Sequence, residues 1–394
     1  MSNITDERLI ELRRSAPPPY EPERLPFDTF NLLTPELIKL SSAANMALGE
    51  YKGFLVNTPN PVLLLSPITT QEAVLSSKLE GTHATLEDIL NHEAGNQTDI
   101  QDDELKEILN YRSALKHALD TISPYNQLSN PNSKEPLTIK IIKEMHAILL
   151  DNVRGSTKHP GAFKKLQNYI GGYDFISYTP VSPQLTDSYM SNLEMYFHHD
   201  EINPLIQAAI IHAQFEMIHP FEDGNGRIGR LLIPLFFYYR GIIPSPIFYM
   251  SSYFERNRDE YIHNLANISK NNNWVSWIYF FLSGIIAESH NNTKKALNIL
   301  SLYEQFKSLG DSIKSYYFIP ILDFIFQHPI FTSKQLIEEI NASKQTVFTL
   351  LNKMVDQDIL ISSDKAKNRT FICPKLLSII AVSYTHLRAH ETVL

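Results

Sequence analysis

His219-Pro220-Phe221-Glu222-Asp223-Gly224-Asn225-Gly226-Arg227-Ile228-Gly229-Arg230 is the stretch on which the reading of this chain turns. Gly224 and Gly226 flank Asn225 at the start of an apolar helical run, so backbone N–H groups converge where a helix dipole favours an anion. Arg227 and Arg230, three apart, share a face of that helix, and their guanidinium forks can grip two more phosphate groups. Asp223 is a hard oxygen ligand suited to Mg²⁺, which polyphosphates bring with them. His219 ends the preceding apolar helix and supplies a base whose unperturbed pKa lies near neutrality. Taken singly, each residue could as well belong to an ordinary helix turn, with His219 a hydrogen-bonded cap and Phe221 core. Together they form an anion cradle, a metal ligand and a base.

Working outward, hydrophobic spacing predicts helices over Thr34–Leu48, Thr69–Leu79, Leu86–Asn91, Asp102–Ile122, Thr138–Leu150, Thr186–His198, Pro204–Ile218, Gly226–Tyr239, Arg256–Ile268 and Trp274–Ser308. Residues 15–35, with Pro17, Pro18, Pro19, Pro22 and Pro26, read as an extended arm. Gly81 is placed to end the 69–79 helix. Between Gly161 and Pro183 the helical period gives way to Tyr169-Ile170-Gly171-Gly172-Tyr173 and Phe175-Ile176-Ser177-Tyr178, a short hairpin. After Gly310 come a helix at 315–328, a helix at 333–340 capped by Thr332, a turn at Asn341-Ala342-Ser343, a helix at 344–356, and strands at Ile359–Ser362 and Thr370–Cys373. That order suggests a winged-helix module. The fold class is therefore mostly α.

The chain has 394 residues, 43% of them apolar, enough for two or three domains with real cores. Cys373 is the single cysteine, which excludes an intrachain disulfide or a Cys-rich zinc site and points to the cytoplasm. No segment reads as membrane-spanning or secretory. A net charge of −8 excludes a general nucleic-acid-binding field, so DNA contact would have to be local. In the C-terminal module Lys334, Lys344, Lys353, Lys365, Lys367 and Arg369 stand against Glu338, Glu339, Asp356, Asp358 and Asp364, so dimerisation or target docking is expected there ahead of DNA binding. His198, His199, His212 and His219 lack the spacing of a zinc site. Ser383–Leu394 reads as a foreign read-through tail.

The stretch at 219–230 matches His-x-Phe-x-Asp/Glu-Gly-Asn-Gly-Arg-x-x-Arg at every specified position and so resembles the Fic family of protein adenylyltransferases. Chance recurrence of such a pattern is on the order of 10⁻⁸. Gly161-x-Phe163 with Ile170-Gly171-Gly172 resembles that family's flap, and Ser76-Ser77-Lys78-Leu79-Glu80-Gly81 resembles its inhibitory motif. The resemblance implies a Fic-type helical core at 101–295 with a flap at about 161–183, an N-terminal helical region at 1–100 with an inhibitory helix at about 69–81, and a winged helix at 310–380 severable after about 310. It implies transfer of AMP from ATP to a Tyr, Ser or Thr hydroxyl of a target protein docked on the flap, with ATP as substrate and Mg²⁺ as cofactor. His219 would be the base, Asp223 the metal ligand and Asn225 the α-phosphate contact. Gly224, Gly226, Arg227, Ile228, Gly229 and Arg230 would complete the phosphate site. Ile170, Gly171, Gly172 and Tyr173 would flank the nucleotide, and Tyr261 would lie by the adenine. Glu80, aided by Ser76, would pair with Arg230 and inhibit. The flap departs from the family in reading Phe163-Lys164-Lys165 where an arginine often follows the aromatic. Relatives that transfer phosphocholine share the loop, and removal of AMP or nucleotide sensing by a transcriptional regulator are the competing readings.

Overall fold

The computed structural model describes residues 11–57, 62–130, 133–153, 155–172, 175–313, 315–363 and 369–381, with backbone alone at 62–65 and 311–312. The fold is mostly α. In chain order the elements are α1 (Pro35–Asn57), α2 (Val62–Leu79), α3 (Leu86–Glu93), α4 (Asp102–Thr121), α5 (Ile139–Leu149), β1 (Ile170–Gly171), β2 (Ile176–Tyr178), α6 (Pro183–Phe197), α7 (Pro204–Ile218), α8 (Asn225–Tyr239), α9 (Ser251–Arg256), α10 (Arg258–Asn271), α11 (Trp274–Ile313), α12 (Phe318–Gln327), β3 (Ile330–Thr332), α13 (Ser333–Ile340), α14 (Lys344–Asp356), β4 (Ile361–Ser362), β5 (Thr370–Ile372) and α15 (Pro374–Ala381). Among the described residues no helix is long and apolar enough to cross a membrane. Tyr173, Asp364, Lys365, Lys367 and the tail at 383–394 lie outside the described residues.

Contacts divide the chain into two compact units interleaved in sequence: residues 1–52 with 109–289, and 53–108 with 290–394. The first unit is centred on α7, whose residues from Leu205 to Ile218 are buried except Glu216. A helix apolar on every face belongs inside a core, and here α6 and α8 pack on it. Asn203 starts it, its Oδ1 accepting from the Leu205 and Ile206 N–H groups ahead of Pro204 at the first helical position. The N-terminal arm lies on this unit. Asn192 clips the Leu25 peptide from both sides at 2.9 and 2.7 Å, and the Tyr20 N–H donates to the Thr179 carbonyl.

In the second unit α2 ends in paired turns, with Gly81 N–H on the Lys78 carbonyl and Thr82 N–H on the Ser77 carbonyl, and Gly81 at φ +94. The C-terminal elements form a three-stranded antiparallel sheet in the order β3-β5-β4, with Thr332 and Gln335 capping α13 reciprocally. They do not stand apart from α2 and α3. Both α12 and α15 pack on α2, α3 packs on β3, and Leu90, Ala94 and Ile330 share a core. Gln335 donates to the Glu93 carbonyl at 2.6 Å, and the Thr370 hydroxyl to Asn96 Oδ1 at 2.9 Å. A cut after residue 310 would therefore strip α2 and α3 of their packing partners, against the expectation of a severable module.

Candidate active site

The site is the turn from α7 to α8 and the hairpin segment that brackets it. α7 stops at His219, which turns the chain in the left-handed conformation (φ 49°, ψ 63°) while its N–H still donates to the Phe215 carbonyl at 2.8 Å. That conformation costs an L residue about 1–2 kcal/mol. A helix end also leaves carbonyls without intrahelical partners. Segment 164–178 supplies donors to them. Tyr178 Oη donates to the Met217 carbonyl at 2.9 Å, and Lys164 Nζ to those of Ile218 and His219 at 3.0 Å each. Asn168 Nδ2 donates to the His219 and Phe221 carbonyls at 2.9 Å, and the Lys164 N–H to Pro220 at 2.8 Å. Five consecutive carbonyls are thereby satisfied.

The His219 ring is set by its own helix. Nδ1 lies 3.3 Å from the Glu216 carbonyl and 3.7 Å from Glu216 Oε2, and a neutral imidazole donating from Nδ1 carries its lone pair on Nε2. Behind it Gly229 makes room for Glu216, since a Cβ on Gly229 would meet Glu216 Oε1 at 2.2 Å.

α8 begins at Gly224, itself left-handed at φ +76, where a Cβ would press on Leu149 at 3.2 Å. The first N–H groups of a helix have no intrahelical acceptor, which supplies the cradle. The Asn225 side chain is engaged within the loop. Its Oδ1 accepts the Phe221 N–H and its Nδ2 donates to the Phe221 carbonyl, both at 2.8 Å. The side chain thus shapes the loop, and its peptide N–H is among the first of α8, which have no intrahelical acceptor. Arg227 is 1% exposed with Nη2 3.6 Å from Asp223 Oδ1, and Arg230 and Ile228 are buried.

Asp223 Oδ1 accepts the Gly224 N–H at 2.6 Å, and the residue's side chain is 39% exposed. A Cβ on Gly155 would come within 2.9 Å of Asp223 Oδ2. A glycine there clears space beside the second oxygen, which fits a hard cation taking one carboxylate oxygen and completing its shell from phosphates and water. Among the described residues no group of three or more His, Cys, Asp or Glu could form an all-protein cage.

Two buried histidines brace the turn. His146 Nδ1 accepts the Gly161 N–H at 2.9 Å, so Nε2 donates to the Asp223 carbonyl at 3.0 Å, and the ring stacks on Phe221 at 3.8 Å. Burial holds its pKa down at about 4. His212 lies between the Gly229 carbonyl, 3.0 Å from Nδ1, and Tyr261 Oη, 2.9 Å from Nε2, and burial lowers it to about 3. Nδ1 must donate to the carbonyl, so Nε2 accepts from Tyr261. Tyr261 is 7% exposed and stacked on Phe254, and its hydroxyl pairs with His212. Burial likewise pushes Lys164, 3% exposed, down to about 7, and the three oxygens around its nitrogen make an ammonium tolerable there.

On the hairpin, Ile170 pairs with Tyr178 and Gly171 with Ile176, and Ile170, Gly171 and Gly172 are exposed. Ser76 and Glu80 belong to the second unit, at the end of α2. Sequence reasoning passes over His146, Asn168, Tyr178 and Glu216 as site residues, and meets Lys164 only as a departure in the flap. The one signal for His146 is its place on the apolar face Ile141, Ile142, Met145, Leu149.

Comparison with known proteins bears on the family and the fold. Residues 38–120 match the family model described as Fic/DOC family N-terminal, and residues 136–237 that described as Fic/DOC family, so the chain carries Fic/DOC family domains. It is 31% identical over 134 residues to the protein adenylyltransferase Fic of Culex quinquefasciatus, covering 33% of this chain and 24% of that one. It is 32% identical over 113 residues to the protein adenylyltransferase fic-1 of Caenorhabditis elegans, covering 28% and 21%. The chain thus spans about a quarter or less of these relatives. A Fic family protein from Desulfovibrio desulfuricans G20 superposes with a TM-score of 0.58 at 16% identity, covering 86% of this chain and 96% of that one. Fic-1 from C. elegans superposes at 0.51 with 19% identity, covering 68% and 78%. These likenesses show the fold.

Proposed function

We propose that the chain transfers AMP from ATP to a Tyr, Ser or Thr hydroxyl of a target protein, releasing pyrophosphate. The observation that carries this reading is the setting of His219, whose Nδ1 lies 3.3 Å from the Glu216 carbonyl, an acceptor that calls for a donor there and so leaves Nε2 as the basic nitrogen. His219 takes the hydroxyl proton on Nε2 as the oxygen attacks the α-phosphorus. The bond from that phosphorus to the bridging oxygen breaks, and its electrons leave with pyrophosphate. The N–H groups at the start of α8 stabilise the charge developing on the phosphoryl oxygens. Arg227 and Arg230, three apart on α8, serve the β- and γ-phosphates. Asp223 would hold Mg²⁺, which would supply neutralisation of phosphate charge when bound. The exposed hairpin at 170–172 receives the target segment.

Glu80 regulates this site. On this reading its carboxylate pairs with Arg230, with Ser76 one turn earlier fixing the segment, and keeps Arg230 from the γ-phosphate. A charge-assisted pair is worth about 1.5–3 kcal/mol, so Glu80→Gly should raise AMP transfer roughly ten- to a hundredfold. Arg230→Ala and the double variant should be inactive, because Arg230 is needed once released. Intact-mass spectrometry of the chain and of Glu80→Gly after incubation with ATP and Mg²⁺ tests the function. Gain of one AMP residue, faster in Glu80→Gly, is expected. Its absence from both, with or without a lysate supplying targets, would contradict the transferase reading.

A further inference from the structure

His219 keeps a left-handed backbone only because something over-determines it, and what does so lies 51 to 55 residues earlier in the chain. Lys164 Nζ has three donors and meets three oxygens: the carbonyls of Ile218 and His219 at 3.0 Å each and Asn168 Oδ1 at 2.9 Å. Asn168 returns the contact by donating from Nδ2 to the same His219 carbonyl and to Phe221. The Lys164 N–H holds Pro220 as well, so one residue grips three consecutive peptides, 218 to 220. The ammonium sits at the negative end of the α7 dipole, where a cation is favoured, while Lys165 beside it is exposed. None of these contacts of Lys164 involves an atom that would meet substrate.

Resting on the reading of His219 as the base, we propose that Lys164 is a positioning residue of the transfer, acting with Asn168 as a remote cap on α7 that fixes the His219 backbone and so aims its imidazole. An ordinary buried lysine would affect stability alone. A positioning lysine affects the chemical step and leaves the ground-state hold on ATP untouched, because the cradle at the start of α8 draws on Gly224 to Arg227 and not on the 218–220 carbonyls.

The full chain, assayed for AMP incorporation with ATP and Mg²⁺, decides between them. Lys164→Met should lower kcat by roughly 100-fold with KM for ATP within about twofold, since a misplacement near 1 Å costs about that much. Lys164→Arg, which keeps donors on the same carbonyls, should recover most of the loss. If Lys164→Met does not fold, Asn168→Ala carries the same test with a kcat loss of roughly tenfold at unchanged KM. A folded variant with unchanged kcat, a rise in KM alone, or no recovery with arginine overturns the proposal. Should the wild-type chain incorporate no AMP, it is the function that fails, and the imidazole ¹⁵N resonances of His219 then test positioning alone. A shift in Lys164→Met is expected, and resonances identical to wild type would overturn it.

Discussion

At the ends of α7 and α13 the chain leaves a helix through a non-glycine residue in the same conformation, His219 at φ 49° and Asn341 at φ 50°. Asn341 is a residue type that visits this region readily, and the next helix is started locally by Ser343, whose Oγ accepts the Thr346 N–H. His219 is a costlier choice, and its turn is held from a distance by Lys164, Asn168, Tyr178 and His146. The first arrangement is what a turn needs in order to be a turn. The second holds a titratable ring in one place, and that difference marks the site without reference to any relative.

The same substitution separates the two turns most sharply. His219→Gly should relieve the backbone and yet lower AMP transfer by about 10²- to 10⁴-fold, the contribution of a positioned base, whereas activity comparable to wild type would make the two turns equivalent. Next in size is Gly229→Ala, whose Cβ would overlap Glu216 Oε1 and crowd Phe215 at 3.2 Å. It should destabilise the first unit by about 1–3 kcal/mol. Urea unfolding followed by tryptophan fluorescence reads this, because both tryptophans, Trp274 and Trp277, lie in that unit. A transition at the wild-type midpoint would show that Glu216 is not confined.

Acidification should act on the braced turn and spare the local one, which has no histidine between Ser333 and Asp356. His146 titrates near 4 when folded against 6.5 for the free side chain, so the unfolded chain takes up protons first. The stability tied to its neutral form is whole above about 6.5 and is lost progressively down to about 4; His212, lowered to about 3, extends the loss. The tryptophan-reported midpoint should fall between pH 7 and pH 4.5, and a flat profile would contradict the bracing role. Smallest of all, Asn341→Gly should move stability by no more than about 0.5 kcal/mol, measured by far-UV circular dichroism, and a large loss would reveal remote support there too.

What can be read from the sequence follows whether a residue's partner is local. α7 and α14 begin and end where their spacing, Asn203-Pro204 and Ser343 place them. The helix expected over 256–268 is α10, and the short α9 before it, separated from it at Asn257 (φ −115°, ψ 39°), is one that apolar spacing does not announce. α1 runs on through Gly49 and Gly53 to Asn57, because Tyr51 and Leu55 are buried and outweigh helix propensity. α2 starts seven residues early and takes Pro67 inside it. β3 gives no signal, because three residues after a helix show no alternation. In the site, glycines, arginines and the histidine are legible as types, while Lys164, Asn168 and Tyr178 are not, because their partners are backbone carbonyls, which every residue has. Asn225 and Tyr261 are legible as site residues, but the bonds that occupy them, to Phe221 and His212, appear only in the fold.

On the proposed function, His219 Nε2 takes a proton while the α-phosphorus changes partner. The chain and its His219→Ala variant, each incubated with Mg²⁺ and ATP labelled at either the α- or the γ-phosphate, test it directly. Protein-bound label from the α position alone is expected, absent in His219→Ala although that variant still binds ATP. Label arriving from the γ position, or equal α-label on the variant, would contradict it.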